Sequence, residues 1–243
     1  MKRLLGLISF STKIPTGVHL PASDIAVYTW FWPVIGCMIG VFVGVVGYFS
    51  RFLFHPLLSA AITYAFTLWF TGFHHLDGLI DVGDAMMVHS TPEKRIEVMR
   101  DLKVGVGGIS LFFLIGIMTI LSIYPIPFSK IFQCLVVSEM SAKLGIVSCC
   151  TISRPYINGT GRHFIKNMNA RKFFLSITLT ILIAFAILRY TGILGVVGGI
   201  IAGIVVGIYS RIYFRWATGD VLGASNEIAR MVSLMFMNLE GLT

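Results

Sequence analysis

Six apolar runs, at about residues 25–49, 52–73, 107–124, 130–152, 173–190 and 192–214, leave this chain little choice of architecture. Each is close to the roughly 20 residues a helix needs to cross bilayer hydrocarbon, where every backbone N–H and C=O must be satisfied internally. A more polar seventh helix is predicted near 220–239. The sequence therefore reads as all-α: a polytopic membrane helical bundle of six to seven transmembrane helices, one integral-membrane domain over residues 1–243. Only 12% of its residues are charged, against about 25% in soluble proteins, and its mean hydropathy is +0.85. One or two soluble domains, which the length alone would allow, are excluded by that composition.

The first residues, Met1-Lys2-Arg3 followed by Leu4 to Phe10, imitate a signal peptide. No A-x-A cleavage site follows and Pro15 and Gly17 interrupt the segment, so a short helix lying in the membrane interface is expected instead. With the N-terminus on the cytoplasmic side, fourteen of the nineteen Lys and Arg residues fall in cytoplasmic segments. Only Arg51, Lys130 and Arg189 fall opposite, so the positive-inside rule sets a cell-membrane, multi-pass orientation. The four cysteines sit in apolar segments without C-x-x-C spacing and read as packing thiols. Gly36, Gly40 and Gly44, and Gly195, Gly199, Gly203 and Gly207, recur every fourth residue, a spacing that lets helix backbones approach closely.

Directly after the second run, Asp77, Asp81 and Asp84 stand at i, i+4 and i+7, within roughly 60° of one another on a helix, with His74 at the margin. A carboxylate in mid-membrane costs about 2.5–3.5 kcal/mol on the insertion scale. Three unpaired ones would rival the roughly 5–15 kcal/mol net stability of a whole domain. A cation is expected between them, and oxygen ligands favour Mg²⁺, which uses a few carboxylates together with substrate phosphates. The alternative is neutralisation by basic residues on neighbouring helices.

Three further segments carry polar residues beyond what topology needs. Thr91-Pro92-Glu93 has the signature of a helix start. After that helix come Asp101 and the turn Gly105 to Gly108, whose N–H groups are expected to face phosphate oxygens. The connection from Arg154 to Lys172 carries five Lys/Arg, among them Arg162 and Lys166, and no acid. It reads equally as a lipid-contacting surface and as a loop capturing an anionic substrate. Finally, Asp220 and Glu227 share a helix face seven residues apart, and Asp220 also suits the N-terminal end of a helix. Glu139 with Lys143, and Glu227 with Arg230, have the spacing of intrahelical ion pairs.

With these residues in view, the chain resembles the adenosylcobinamide-GDP ribazoletransferases, also called cobalamin-5'-phosphate synthases. The likeness rests on Phe10-Ser11-Thr12-Lys13-Ile14-Pro15, on His75-Leu76-Asp77-Gly78 with Asp81 and Asp84, on Met99 and Asp101 leading to Gly105 and Gly108, and on Thr218-Gly219-Asp220-Val221-Leu222-Gly223-Ala224. Ala85 and the pair Leu102-Lys103 depart from the family pattern without removing a carboxylate. The resemblance implies that the 3'-hydroxyl of α-ribazole, or of its 5'-phosphate, attacks the cobinamide-side phosphorus of adenosylcobinamide-GDP and that GMP leaves. It implies Mg²⁺ held by Asp77, Asp81 and Asp84, joined by Asp101, with Asp81, Asp84 and Asp220 as the catalytic set. Asp220 either orients the incoming hydroxyl or completes the metal shell. Substrate contacts are expected from His74, His75, Lys103, Gly105, Gly108, Arg154, Arg162, Lys166, Thr218 and Glu227. The expected partners are these two substrates and membrane lipids, not nucleic acid, with homo-oligomerisation left open.

Two rivals have sequence arguments of their own. A CDP-alcohol phosphotransferase of phospholipid synthesis uses similar chemistry, but its motif needs Asp where His74 stands and Ala-Arg where Asp81-Val82 stands. An ion transporter would use Glu139, Lys143 and Glu227 at membrane depth, yet no internal repeat is visible.

Overall fold

The computed structural model describes residues 2–239, which form helices and no strand, apart from a single bridge between Pro155 and Ala217. The helices are α1 (Lys2–Ser11), α2 (Ala22–Ile25), α3 (Trp32–Leu53), α4 (Pro56–Phe70), α5 (His74–Met86), α6 (Pro92–Met99), α7 (Val106–Ile123), α8 (Ile131–Ile152), α9 (Gly161–Lys166), α10 (Ala170–Tyr209) and α11 (Gly219–Met237).

Among the described residues four stretches are long and apolar enough to cross a membrane: Ala22–Leu53, Val106–Ile123, Phe128–Ile152 and Ala170–Phe214. A fifth is reached if α4 and α5, bent by 96° to each other, count as one. The count of six to seven is therefore not met by length and hydropathy, for two physical reasons. The charges of α5 and α11 lower their hydropathy, and two expected runs, 173–190 and 192–214, lie in the one continuous stretch Ala170–Phe214 that α10 opens. That helix leaves helical geometry at Arg189 (φ 54°, ψ −133°). The chain folds back there, since a Cβ on Gly192 would lie 2.3 Å from the Ala184 carbonyl oxygen.

Between α4 and α5 the chain turns on two left-handed residues, Gly72 (φ 70°) and Phe73 (φ 60°). The N–H of Phe73 donates to Leu68 O at 3.0 Å and that of Gly72 to Trp69 O at 3.0 Å, which satisfies the last carbonyls of α4 as it ends. This bend aims the aspartate-bearing α5 at α11. At the start of α6, Thr91 caps the Lys94 N–H at 3.4 Å with Pro92 in the first turn, as its sequence foretells.

Helix α8 is the axis of the bundle, buried on nearly every side from Cys134 to Cys150. It can be so enclosed because its neighbours present glycine: a Cβ on Gly36 of α3 would sit 2.5 Å from Glu139 O, and one on Gly203 of α10 2.2 Å from Gly145 O. The four-residue glycine repeats are thus helix-packing seams. Gly203→Val is expected to lower the melting temperature in detergent, losing about 1–3 kcal/mol through overpacking; an unchanged melt would refute the close approach. Three of the four free cysteines are buried in α8.

Candidate active site

Helices α5 and α11 run side by side because small residues face each other. A Cβ on Gly78 would lie 2.6 Å from Asp220 O, and one on Gly223 3.3 Å from the His75 backbone. This contact sets Asp77 and Asp81 beside Asp220, 139 residues after Asp81 in the sequence. The Asp81 carboxylate, half-buried, stands within electrostatic reach of Asp220, Asp77 and Asp84. Thr218 fixes Asp220 in place. As N-cap of α11, its hydroxyl accepts from the N–H of Asp220 (3.2 Å) and Val221 (3.4 Å), and its proton can reach Asp220 Oδ2 at 3.0 Å or Met99 Sδ at 3.2 Å. Thr218 is buried, so the structure makes it a cap where a substrate contact was expected.

Asp84 has a different occupation. Its Oδ2 accepts the Gly105 N–H at 2.7 Å and its Oδ1 the Gly108 N–H at 2.8 Å, so it caps the N-terminus of α7. The turn expected to offer these N–H groups to phosphate gives them to a carboxylate instead, because a helix start needs an acceptor for its orphan donors. Asp101 lies in an exposed turn, where its Oδ1 accepts the Lys103 N–H at 3.2 Å. With Lys103, Gly105 and Asp84 it lines a cavity of about 390 Å³.

The basic connection docks against the start of α11. Ala217 N–H donates to Arg154 O (2.7 Å), Tyr156 N–H to Ala217 O (3.0 Å), and a Cβ on Gly161 would lie 2.7 Å from Gly219 N. The side chains of Arg154 and Lys166 are exposed, while Arg162 Nη1 donates to Ile157 O at 2.8 Å and so braces its own loop. Arg100, absent from the sequence-based set, lies within electrostatic reach of Asp220, and its guanidinium stands 5.8 Å from the Tyr156 ring. Nothing local distinguishes it from the charges of α6, which ends just before it.

Beneath the aspartates lies a buried polar cluster. Arg230 Nε donates to Glu139 Oε1 at 2.5 Å and Nη2 to Glu139 Oε2 at 3.2 Å, while Nη1 donates to Glu227. The Glu227–Arg230 pair forms as its spacing foretells, and it places Glu227 in the bundle interior, 1% exposed, where a substrate contact had been expected. The Glu139–Lys143 pair does not form. Lys143 Nζ instead contacts Asn226 Oδ1 at 2.9 Å and His75 Nε2 at 2.6 Å, taking up one ring nitrogen of the motif histidine. No sequence spacing links Lys143 to a residue 68 positions earlier.

A cavity of about 450 Å³ opens between α1 and the α5–α11 pair, with His74, His75, Asp77 and Asp220 on one wall and Trp32 and Phe164 on another. A larger one, about 600 Å³, lies at the opposite end of the bundle around Arg51 and Tyr124 and has no acidic residue in its lining. Among the described residues no three His, Cys, Asp or Glu side chains form a ready metal cage. The donors that do gather, Asp77, Asp81 and Asp220, are all carboxylate oxygens. They suit a hard cation that keeps waters and takes one or two carboxylates with substrate phosphates.

Comparison with known proteins gives a consistent set of relatives. A family model described as cobalamin-5-phosphate synthase matches residues 3–238. Proteins named adenosylcobinamide-GDP ribazoletransferase are similar over most of the chain. That of Methanosarcina barkeri is 26% identical, over 94% of this chain and 88% of its own. That of Clostridioides difficile is 27% identical over 98% of both chains, and that of Thermococcus kodakarensis 30% identical over 70% of this chain and 73% of its own. No solved structure matches.

Proposed function

The chain belongs to the cobalamin-5-phosphate synthase family, and from that premise we propose that it joins the two halves of cobalamin at the cytoplasmic face of a membrane. It transfers the adenosylcobinamide-phosphate moiety of adenosylcobinamide-GDP to the 3'-hydroxyl of α-ribazole or its 5'-phosphate. The new bond joins that oxygen to the cobinamide-side phosphorus, and the bond from this phosphorus to the oxygen of GMP breaks. The observation that carries the reading is the meeting of Asp77 and Asp81 of α5 with Asp220 of α11 beside a cavity.

Asp77, Asp81 and Asp220 would hold magnesium here. When bound, it supplies neutralisation of charge on the diphosphate and stabilisation of the leaving GMP. Phosphoryl transfer asks the protein mainly for positioning and charge neutralisation. Arg100 and Lys103 supply cations close to the aspartates, and Asp77 or Asp220, both lining the cavity, takes the proton of the attacking hydroxyl. Thr218 keeps Asp220 at its post. The cytoplasmic placement is supported by charge: Arg100, Lys103, Arg154 and Lys166 cluster near this end of the bundle, while Arg51 lies at the other.

Purified protein in lipid vesicles, given adenosylcobinamide-GDP and α-ribazole, is expected to release GMP and cobalamin in equal amounts. Absence of GMP from protein that has inserted and melts cooperatively would refute the reading. Release of CMP from CDP-diacylglycerol and an alcohol would establish the phospholipid reaction in its place.

A further inference from the structure

We propose that the cavity between α1 and the α5–α11 pair is the acceptor pocket, seating the flat heteroaromatic base of α-ribazole against its aromatic wall with its ribose turned toward Asp77 and Asp220. The proposal rests on the function proposed above and goes beyond it by dividing the substrates between the two cavities flanking the aspartates.

Size decides first. About 450 Å³ lies within the range of pockets that enclose a small organic ligand. A benzimidazole riboside fits such a space, whereas a corrin ring with its amide side chains and adenosyl group is several times too large.

Charge decides between the riboside and the guanosine diphosphate. No Lys or Arg lines this cavity, and two aspartates do. Beyond the metal that Asp77, Asp81 and Asp220 would hold, this wall offers a nucleoside diphosphate no cation. The neighbouring cavity beside Asp84 and Asp101 has Lys103 in its lining, so the guanosine end of the donor belongs on that side of α5, with its diphosphate reaching back to the aspartates.

One wall, a cluster of rings packed on one another, suits a planar aromatic base. The rings of Trp32 and Phe164 are 4.7 Å apart and those of Phe10 and Phe164 5.4 Å, within the range of stacked and tilted aromatic contacts. Trp32 is held by its Nε1–H donating to Ser11 Oγ at 3.1 Å, so the platform is rigid. Ser9, His19 and Thr160 add polar groups that can meet ribose hydroxyls or the base edge.

The segment that closes this wall is tied down away from the chemistry. Lys13 N–H donates to Phe70 O at 2.9 Å, and its ammonium sits 5.1 Å from the centre of the Trp69 ring and 5.5 Å from that of Phe73. The pocket is thus assembled by α1 docking onto the turn that begins α5.

Ser9→Phe, a half-buried position on α1 outside the acidic cluster, should fill the pocket. Steady-state kinetics in vesicles should show the KM for α-ribazole rising at least about tenfold, with the KM for adenosylcobinamide-GDP within about twofold of the parent. Phe10→Ala removes an exposed ring and keeps the test open if Ser9→Phe does not insert; it should raise the same KM about threefold. Equilibrium binding of α-ribazole alone, followed by tryptophan fluorescence, reads the pocket without turnover. Parent protein should bind and Ser9→Phe should not. Equal binding by both proteins overturns the proposal even if neither releases GMP, and a rise confined to the donor KM assigns the pocket to guanosine and overturns it too. Failure of GMP release with binding behaving as stated would refute the function and leave the pocket standing.

Discussion

Asp81→Asn is expected to slow GMP release by at least about a thousandfold, roughly 4 kcal/mol of transition-state stabilisation, while the protein inserts and melts like its parent. Asp81 lies between Asp77 and Asp84 on α5 and feels Asp220 across the helix contact. Its charge is crowded by three others, an arrangement that costs stability unless a substrate-borne or bound cation relieves it. The amide keeps the shape and removes that charge, so folding should gain slightly as chemistry is lost, a signature of a group placed for function. Asp220→Asn should behave alike. Asp84→Asn should not, since both Asp84 oxygens accept backbone N–H groups of the α7 start. An amide nitrogen turned toward either donor breaks that cap, which costs about 0.5–2 kcal/mol. Its main effect is therefore a lower melting temperature with a smaller fall in turnover. GMP quantified by chromatography against melting in the same detergent separates the two patterns. A fall of less than about tenfold in Asp81→Asn would remove Asp81 from the reaction.

The difference between Asp81 and Asp84 also shows how far the sequence could be read. Local periodicity reported what lies on one helix: the aspartate stripe, the Thr91 cap, the glycine seams and the Glu227–Arg230 pair all depend on spacings of three to eight residues. Partnerships between helices left no such trace. Glycines at 105 and 108 read as a phosphate cradle until α5 is laid against α7, when Asp84 proves to be their acceptor. Lys143 read as the partner of Glu139 one turn away, yet the α11 residue Arg230 satisfies Glu139 and leaves Lys143 for His75 and Asn226. Arg100 and Trp32 gain roles only through neighbours distant in sequence. Hydropathy misled in the other direction at α5 and α11, whose charges, at the mouth of a cavity in α5 and in the core in α11, hide how closely these helices pack.

Arg230→Met is expected to destabilise the protein by about 3–5 kcal/mol, because it strands two buried carboxylates without their counter-charge. Glu139 and Glu227 are each 1% exposed and both are charge-paired with this one guanidinium, three of whose nitrogens are engaged, with Asn226 Nδ2 also donating to Glu227 Oε1 at 3.0 Å. Replacing the three together, Glu139→Gln, Glu227→Gln and Arg230→Met, should recover most of that loss, since no bare charge then stays in the core. The comparison tests more than stability. Arg230 joins α11 to α8, and Lys143 of α8 touches His75 of α5 and Asn226 of α11, so the cluster ties together the three helices that position the aspartates. If the ion pairs serve only to cancel charge, the triple variant regains melting temperature and turnover together. If they also hold the register that sets Asp220 against Gly78, the triple variant should melt near the parent temperature yet release GMP about tenfold or more below it, the size of loss that small misplacements cause. The second outcome is expected, because Glu139→Gln and Arg230→Met cancel the charges without restoring the charge-assisted, two-oxygen clasp between Glu139 and Arg230 that fixes one helix along the other.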